Sequence, residues 1–171
     1  MKTSLENALK QLTSGKPIVL FDSSRREKEA DLVLPACFVT AEYIHFLREK
    51  AGGLICLAID SRSAEKLGLP FLADVFAENA NPTLNKLACK KTPYGDKPAF
   101  SISINHKKTF TGITDNDRAR TIKEFAGIVE RGCSKKDFTD NFYYPGHVHL
   151  LISRGLDKRR GKVHPHLRHQ E

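Results

Sequence analysis

Apolar residues recur at helical spacing from the start of the chain. Leu5, Ala8, Leu9 and Leu12 share one face of a helix over residues 4–14, with Ser4 as its N-cap and Gly15 as its stop. Two apolar runs of strand type follow, PIVLF at 17–21 and DLVLPA at 31–36, the second ended by Pro35. Thr40 caps a further helix that runs to about Lys50, where Gly52 and Gly53 break it. LICLAI at 54–59 reads as a buried strand, and SAEKLG at 63–68 as a short helix closed by Gly68 and Pro70. Residues 71–98 are rich in Asn, Pro and Gly and are read as irregular. AFSISIN at 99–105 alternates apolar and polar, as a half-buried strand does. Thr114, with Asp117 three residues on, caps a helix whose apolar face is Ala119, Ile122, Phe125, Ala126 and Val129. HVHLLI at 147–152 is the last strand. Helices and strands mixed in this irregular order predict an α+β fold, a single domain with a mixed sheet and helices packed on it.

Composition narrows the class. A chain of 171 residues with 40% hydrophobic and 28% charged side chains suits one globular domain with a real core. No apolar run approaches the roughly 20 residues of a membrane span. The first residues, MKTSLENALKQLTSG, carry no apolar signal core, so a cytoplasmic protein is expected. Cys37, Cys56, Cys89 and Cys133 are widely spaced, form no CxxC pair and read as free thiols. The net charge of +8 raises nucleic-acid binding as a class. Residues 154–171, however, hold six basic side chains against two acidic ones, so half of the excess lies in one basic, His-rich end. The body alternates in sign, and its aromatic residues are not interleaved with basic ones. A nucleic-acid module is therefore the least favoured reading.

The charge that matters most lies between the first two strand-type runs, in RREKEAD, residues 25–31. An extended backbone here would put Arg25, Glu27, Glu29 and Asp31 on one side. Carboxylates crowded on one edge are tolerable if water solvates them or if a cation sits among them. Hard divalent ions bind through one or two carboxylates plus substrate oxygens, and a carboxylate left over can act as a general base. Arg26 can grip a phosphate. A plain solvated turn gives the same pattern. Two other stretches add chemistry. TFTGITDNDRARTI is a polar loop feeding a helix N-terminus, where free backbone N–H groups favour an anion and Thr109, Thr111 and Thr114 add hydroxyls. In YPGHVHLL, His147 follows Pro-Gly and would share a strand face with His149. It is open to a structural role, to metal ligation or to acid/base work.

Together the segments FDSSRREKEADLVLPA, GGLICLAI, TGITDNDRARTI and PGHVHLL, in this order, resemble the 3,4-dihydroxy-2-butanone 4-phosphate synthase family of riboflavin biosynthesis. The likeness spans roughly residues 4–160. It implies an α+β domain of that type over residues 1–158, and the remaining residues 159–171 read as a basic, His-rich tail open to disorder or to loose metal binding. It also implies conversion of D-ribulose 5-phosphate to 3,4-dihydroxy-2-butanone 4-phosphate and formate, with Mg²⁺ or Mn²⁺. The family's loop Glu binds metal, and that position is Glu27. Arg26, Glu27, Asp31, Thr111 and Arg159 would contact substrate. His147, Glu29 and Asp22 would be the catalytic groups. A homodimer is implied, because the family builds its site at a subunit interface.

The likeness departs in two places. Ser23, Ser24 and Arg25 stand where the family has carboxylates, which leaves Asp22. The family's later Arg-x-Gly-His-Thr-Glu motif supplies a second metal ligand, and here KRRGKVHPHLRHQE occupies its place. Arg159, Arg160 and Gly161 fit, whereas Lys162 and Val163 replace His-Thr. An ammonium is a poor ligand at neutral pH. His164, His166 and His169 are a substitute set. The alternative function is therefore a homologue that keeps the fold and sugar-phosphate binding without turnover.

Overall fold

The computed structural model describes residues 5–21, 27–89 and 91–153. Arg25, Arg26, Asp22 and the basic tail from Arg154 onward, Arg159 included, lie outside the described residues. The elements in chain order are α1 (Leu5–Thr13), β1 (Ile18–Phe21), β2 (Ala30–Val33), a 3-10 turn (Ala36–Phe38), α2 (Ala41–Ala51), β3 (Cys56–Ile59) and α3 (Ser61–Leu67). Then come α4 (Leu72–Ala77), α5 (Pro82–Leu87), β4 (Phe100–His106), α6 (Asp115–Glu130), α7 (Lys135–Asn141) and β5 (Phe142–Ile152). The fold is α+β with a mixed sheet, as expected.

Local chemistry sets most boundaries. Thr40 accepts the Tyr43 N–H at the start of α2, and Gly52 ends that helix at φ 67°. Asp60 and Gly68 do the same for α3. Thr114 accepts the Asp117 N–H at the start of α6. These are the side-chain caps and left-handed glycine stops that helix termini require. α1 forms where its spacing predicts, yet it buries none of its residues.

Among the described residues the strands form two separate sheets. β1 and β2 are an antiparallel hairpin that pairs Ile18 with Val33 and Phe21 with Ala30. The second sheet has the order β3-β5-β4, with β5 parallel to β3 and antiparallel to β4. One face of this sheet is the core. Val148 and Leu150 are 0% exposed, and they pack with Ile104, Ile59 and Ile44. Phe125 of α6 meets Phe138 and Phe142 edge-on at 5.8 and 6.0 Å. Thr121, also 0% exposed, ties α6 to β4 by accepting the His106 N–H at 3.1 Å. Thr121→Val keeps the shape but strands a buried N–H. It is expected to cost about 1–3 kcal/mol, seen as a lower urea midpoint at an unchanged slope.

Three expectations are corrected. Residues 71–98 are not wholly irregular, because α4 and α5 lie there. β5 begins at Phe142 rather than at His147. Its pairing steps from Ile104–Val148 to Asn105–Tyr143, so residues 144–147 bow out of the ladder. Pro145 is tolerated there because an excursion asks for no ladder N–H. RREKEAD is not extended throughout either. Glu27, Lys28 and Glu29 belong to the hairpin loop, Lys28 is at φ 60°, and only Ala30 and Asp31 are strand. The simple alternation of carboxylates on one side therefore fails at Lys28.

Candidate active site

The face of the β3-β5-β4 sheet opposite the core is open. Cys56, His149 and Ser103 are ladder partners across the three strands, so their side chains form one row. His147 lies one step along the same face of β5, while Val148, Leu150 and Ile152 point into the core. Asp31, in β2, lies within electrostatic range of Cys56 in this row. Burial raises the Cys56 thiol pKa, and the Asp31 charge raises it further. Burial lowers the His149 pKa, and its neighbour His147 lowers it again. The edge of Phe100 meets the His149 ring at 6.1 Å.

The charge of Asp31 is thus felt at Cys56, whose ladder partner His149 shares its strand face with His147. Glu27, Glu29, Asp31, Thr111 and His147 are exposed. Asp22, Arg26 and Arg159 fall outside the described residues, so the proposed phosphate contacts of the two arginines rest on sequence. Cys56 and His149 were not singled out as site residues by sequence. Strand alternation places His149 on the face of His147, whereas Cys56 joins them only through the β3–β5 register.

The TFTGITDNDR loop is built differently from the expectation. Its amides are not free for an anion. The N–H groups of Phe110, Thr111 and Gly112 all donate to the Asp117 carboxylate, at 3.4, 3.1 and 2.9 Å. The loop has wrapped around an internal anion. Burial pushes the Asp117 pKa up, but the amides of Gly112, Phe110 and Thr111 together with Thr114 outweigh it and hold the carboxyl below its usual range. A lowered carboxylate pKa stabilises the fold above the unfolded value, about pH 3.9, and that contribution fades as the pH falls through the folded value. Asp117→Ala is expected to cost about 1–2 kcal/mol at neutral pH, measured by urea unfolding. The wild-type margin over the variant should shrink toward acid. Asp115, two residues earlier, is gripped by Arg48 of α2 at 2.8 and 2.9 Å and by Arg118 at 3.0 Å, which fixes the start of α6.

The loop's second function is to close over Asn105. A Cβ on Gly112 would fall 1.9 Å from Asn105 Nδ2, so no side chain fits there. From the other side, Gly146 lies against β4, where a Cβ would sit 2.0 Å from the Ile104 carbonyl carbon. Side chains replace the missing ladder partners of the β5 excursion. Ser103 Oγ accepts the Gly146 N–H at 3.3 Å, and Asn105 Oδ1 accepts the His147 N–H at 2.9 Å. The glycines of the two motifs, TGI and PGH, are needed for this contact.

Among the described residues, no group of three or more His, Cys, Asp or Glu side chains converges as a metal cage. The donor set still fits a hard divalent ion. Exposed loop carboxylates at Glu27 and Glu29 offer oxygen, and Mg²⁺ commonly takes one or two carboxylates and completes its shell with water and substrate.

A family model described as 3,4-dihydroxy-2-butanone 4-phosphate synthase matches residues 6–166. The chain is 46% identical over 160 residues to the synthase of that name from Methanothermobacter thermautotrophicus, covering 92% of this chain and 69% of that protein. Its identity to the synthase from Archaeoglobus fulgidus is 40% over 163 residues, covering 92% and 68%. A crystal structure of a 3,4-dihydroxy-2-butanone 4-phosphate synthase in complex with two magnesium ions is similar in fold. Its TM-score is 0.68 at 27% identity, covering 93% of this chain and 65% of that one. The two-domain synthase RibBX from A. baumannii matches with a TM-score of 0.67 at 26% identity, over 88% of this chain and 38% of that one. The chain thus spans about two thirds of the length of the archaeal relatives.

Proposed function

Because the chain belongs to the 3,4-dihydroxy-2-butanone 4-phosphate synthase family, we propose that it converts D-ribulose 5-phosphate to 3,4-dihydroxy-2-butanone 4-phosphate and formate in riboflavin biosynthesis. The observation that supports this reading is the Cys56–His149 row with His147 next along it, and Asp31 of the charged hairpin within electrostatic range of Cys56. The two products together contain the atoms of the substrate, so no oxidant or second substrate is needed.

The chemistry required is proton removal next to a carbonyl, followed by rearrangement of the carbon skeleton. Arg26 and Arg159 bind the sugar phosphate, as guanidinium forks suit phosphate oxygens. Glu29 or Asp31 takes the proton, and Asp22 stands by as a further acid/base group. His147, presented at the surface by the Gly146 turn, donates to or exchanges a proton with a substrate oxygen. Thr111 contributes a hydroxyl contact to the substrate. Glu27 holds a divalent cation, Mg²⁺ or Mn²⁺, which when bound polarises carbonyl and hydroxyl oxygens and stabilises the charge that develops on them.

The same reading makes the protein a cytoplasmic homodimer. On the hairpin, Val19 and Phe21 are 67% and 62% exposed, apolar surface that a second copy would cover. No helix among the described residues is long and apolar enough to cross a membrane.

The test is formate release from ribulose 5-phosphate by the purified chain, with millimolar Mg²⁺ and with EDTA. Metal-dependent formate is expected. The second reading, binding without turnover, is motivated by Lys162 and Val163 in place of His-Thr. It predicts thermal stabilisation by the sugar phosphate with no formate. A folded chain showing neither effect would contradict both.

A further inference from the structure

His147 is held by a residue that neither sequence motif contains. Asn105 is 2% exposed. Its Oδ1 accepts the His147 backbone N–H at 2.9 Å, and its Nδ2 lies 3.1 Å from His147 Nδ1 and 3.3 Å from the Tyr143 hydroxyl. The backbone donor settles which way round the amide sits. An N–H can only donate, so the atom facing it must be the carbonyl oxygen, and the atom facing the ring is the NH₂. An NH₂ can only donate, so Nδ1 accepts, and a neutral ring must carry its proton on Nε2. The competing contact, Nδ1 to Oδ1, is longer at 3.4 Å and falls on an oxygen already engaged by the His147 amide. Flipping the amide would turn NH₂ toward that N–H. Gly112 packs directly on this amide, leaving no room for a side chain between them.

We propose that Asn105 is a positioning residue that fixes His147 as the Nε2–H tautomer, so that the imidazole meets a substrate oxygen as a neutral hydrogen-bond donor rather than as the group that takes the first proton. This rests on the reading of His147 as a catalytic group. A neutral imidazole donor polarises a carbonyl without giving up its proton, and its strength comes from being aimed before the substrate arrives. With Nδ1 committed to Asn105 and Nε2 protonated, the ring has no lone pair to offer an incoming proton. The base of the first step is then a carboxylate of the hairpin. The two tasks are divided between two elements, the donor on β5 and the acceptor on the loop.

The test reads the ring directly. Long-range ¹H–¹⁵N NMR of the full chain at about pH 8.5, where an ordinary imidazole is neutral, should show a pyridine-type Nδ1 and a pyrrole-type Nε2 for His147. Asn105→Asp replaces the NH₂ by an acceptor and should reverse the two signals. Turnover should fall by about a hundredfold or more, the scale on which a misdirected acid/base group acts, with KM changed far less than kcat. A wild-type ring protonated at Nδ1, or an even mixture, would overturn the proposal. So would an Asn105→Asp ring that stays protonated at Nε2. If that variant does not fold, the wild-type spectrum alone decides. An Nε2–H ring in a chain that releases no formate would count against the proposed reaction and leave the hold of Asn105 on the ring standing.

Discussion

His147→Ala is expected to lower formate release from ribulose 5-phosphate by about a thousandfold while leaving the fold intact. The size follows from the 10²–10⁴-fold that a positioned donor or acid/base group typically supplies. The intact fold follows from placement. His147 is exposed on the open side of β5, and the residues on either side of the sheet core, Val148 and Leu150, are untouched. Its backbone N–H, which Asn105 accepts, is present in alanine too. Rate should therefore fall without a matching fall in urea midpoint. A variant that keeps more than about a tenth of wild-type turnover would remove His147 from the chemistry.

Glu27→Gln should be the second large loss, at least about a hundredfold at limiting metal. Changing an outer partner of a metal ligand already costs 10–100-fold, so a direct ligand should cost no less. The amide keeps size and polarity but gives up the charge that a hard cation needs. Raising Mg²⁺ should recover part of the activity, because substrate oxygens and water still complete the shell. Binding can be followed without turnover, by the loss of the free-ion EPR signal when Mn²⁺ is added. Wild-type protein with sugar phosphate should take up the ion at concentrations where the variant does not. Equal uptake by both proteins would move the metal away from Glu27.

Glu27 and His147 stand out in the sequence because their signals are local. A dense charged run between two strands and a histidine after Pro-Gly are visible in any window of the chain. So were the helices capped by Thr40 and Thr114, whose side chains bond within three residues. Residues whose roles come from distant contacts were not. Asn105 reads as one more polar position in an alternating strand, and it matters only because residue 147, 42 positions away, folds onto it. The amides of the TFTGITDNDR loop read as an anion site. The anion turned out to be Asp117, already present in the motif and counted as a helix cap. α4, α5 and α7 are six or seven residues long, too short to show an amphipathic period. Their caps were nonetheless present. Asn81 precedes Pro82 at the start of α5, and Ser134 accepts the Asp137 N–H at the start of α7. The extended reading of RREKEAD failed at Lys28, whose left-handed φ no charge pattern encodes.

One measurement bears most directly on the whole account. Uniformly ¹³C-labelled ribulose 5-phosphate, incubated with the purified chain and Mg²⁺, can be followed by ¹³C NMR. The account predicts that sugar signals give way to formate and a four-carbon ketone phosphate in equal amounts, and that EDTA stops the conversion. Unchanged substrate in the presence of folded, metal-supplied protein would contradict it.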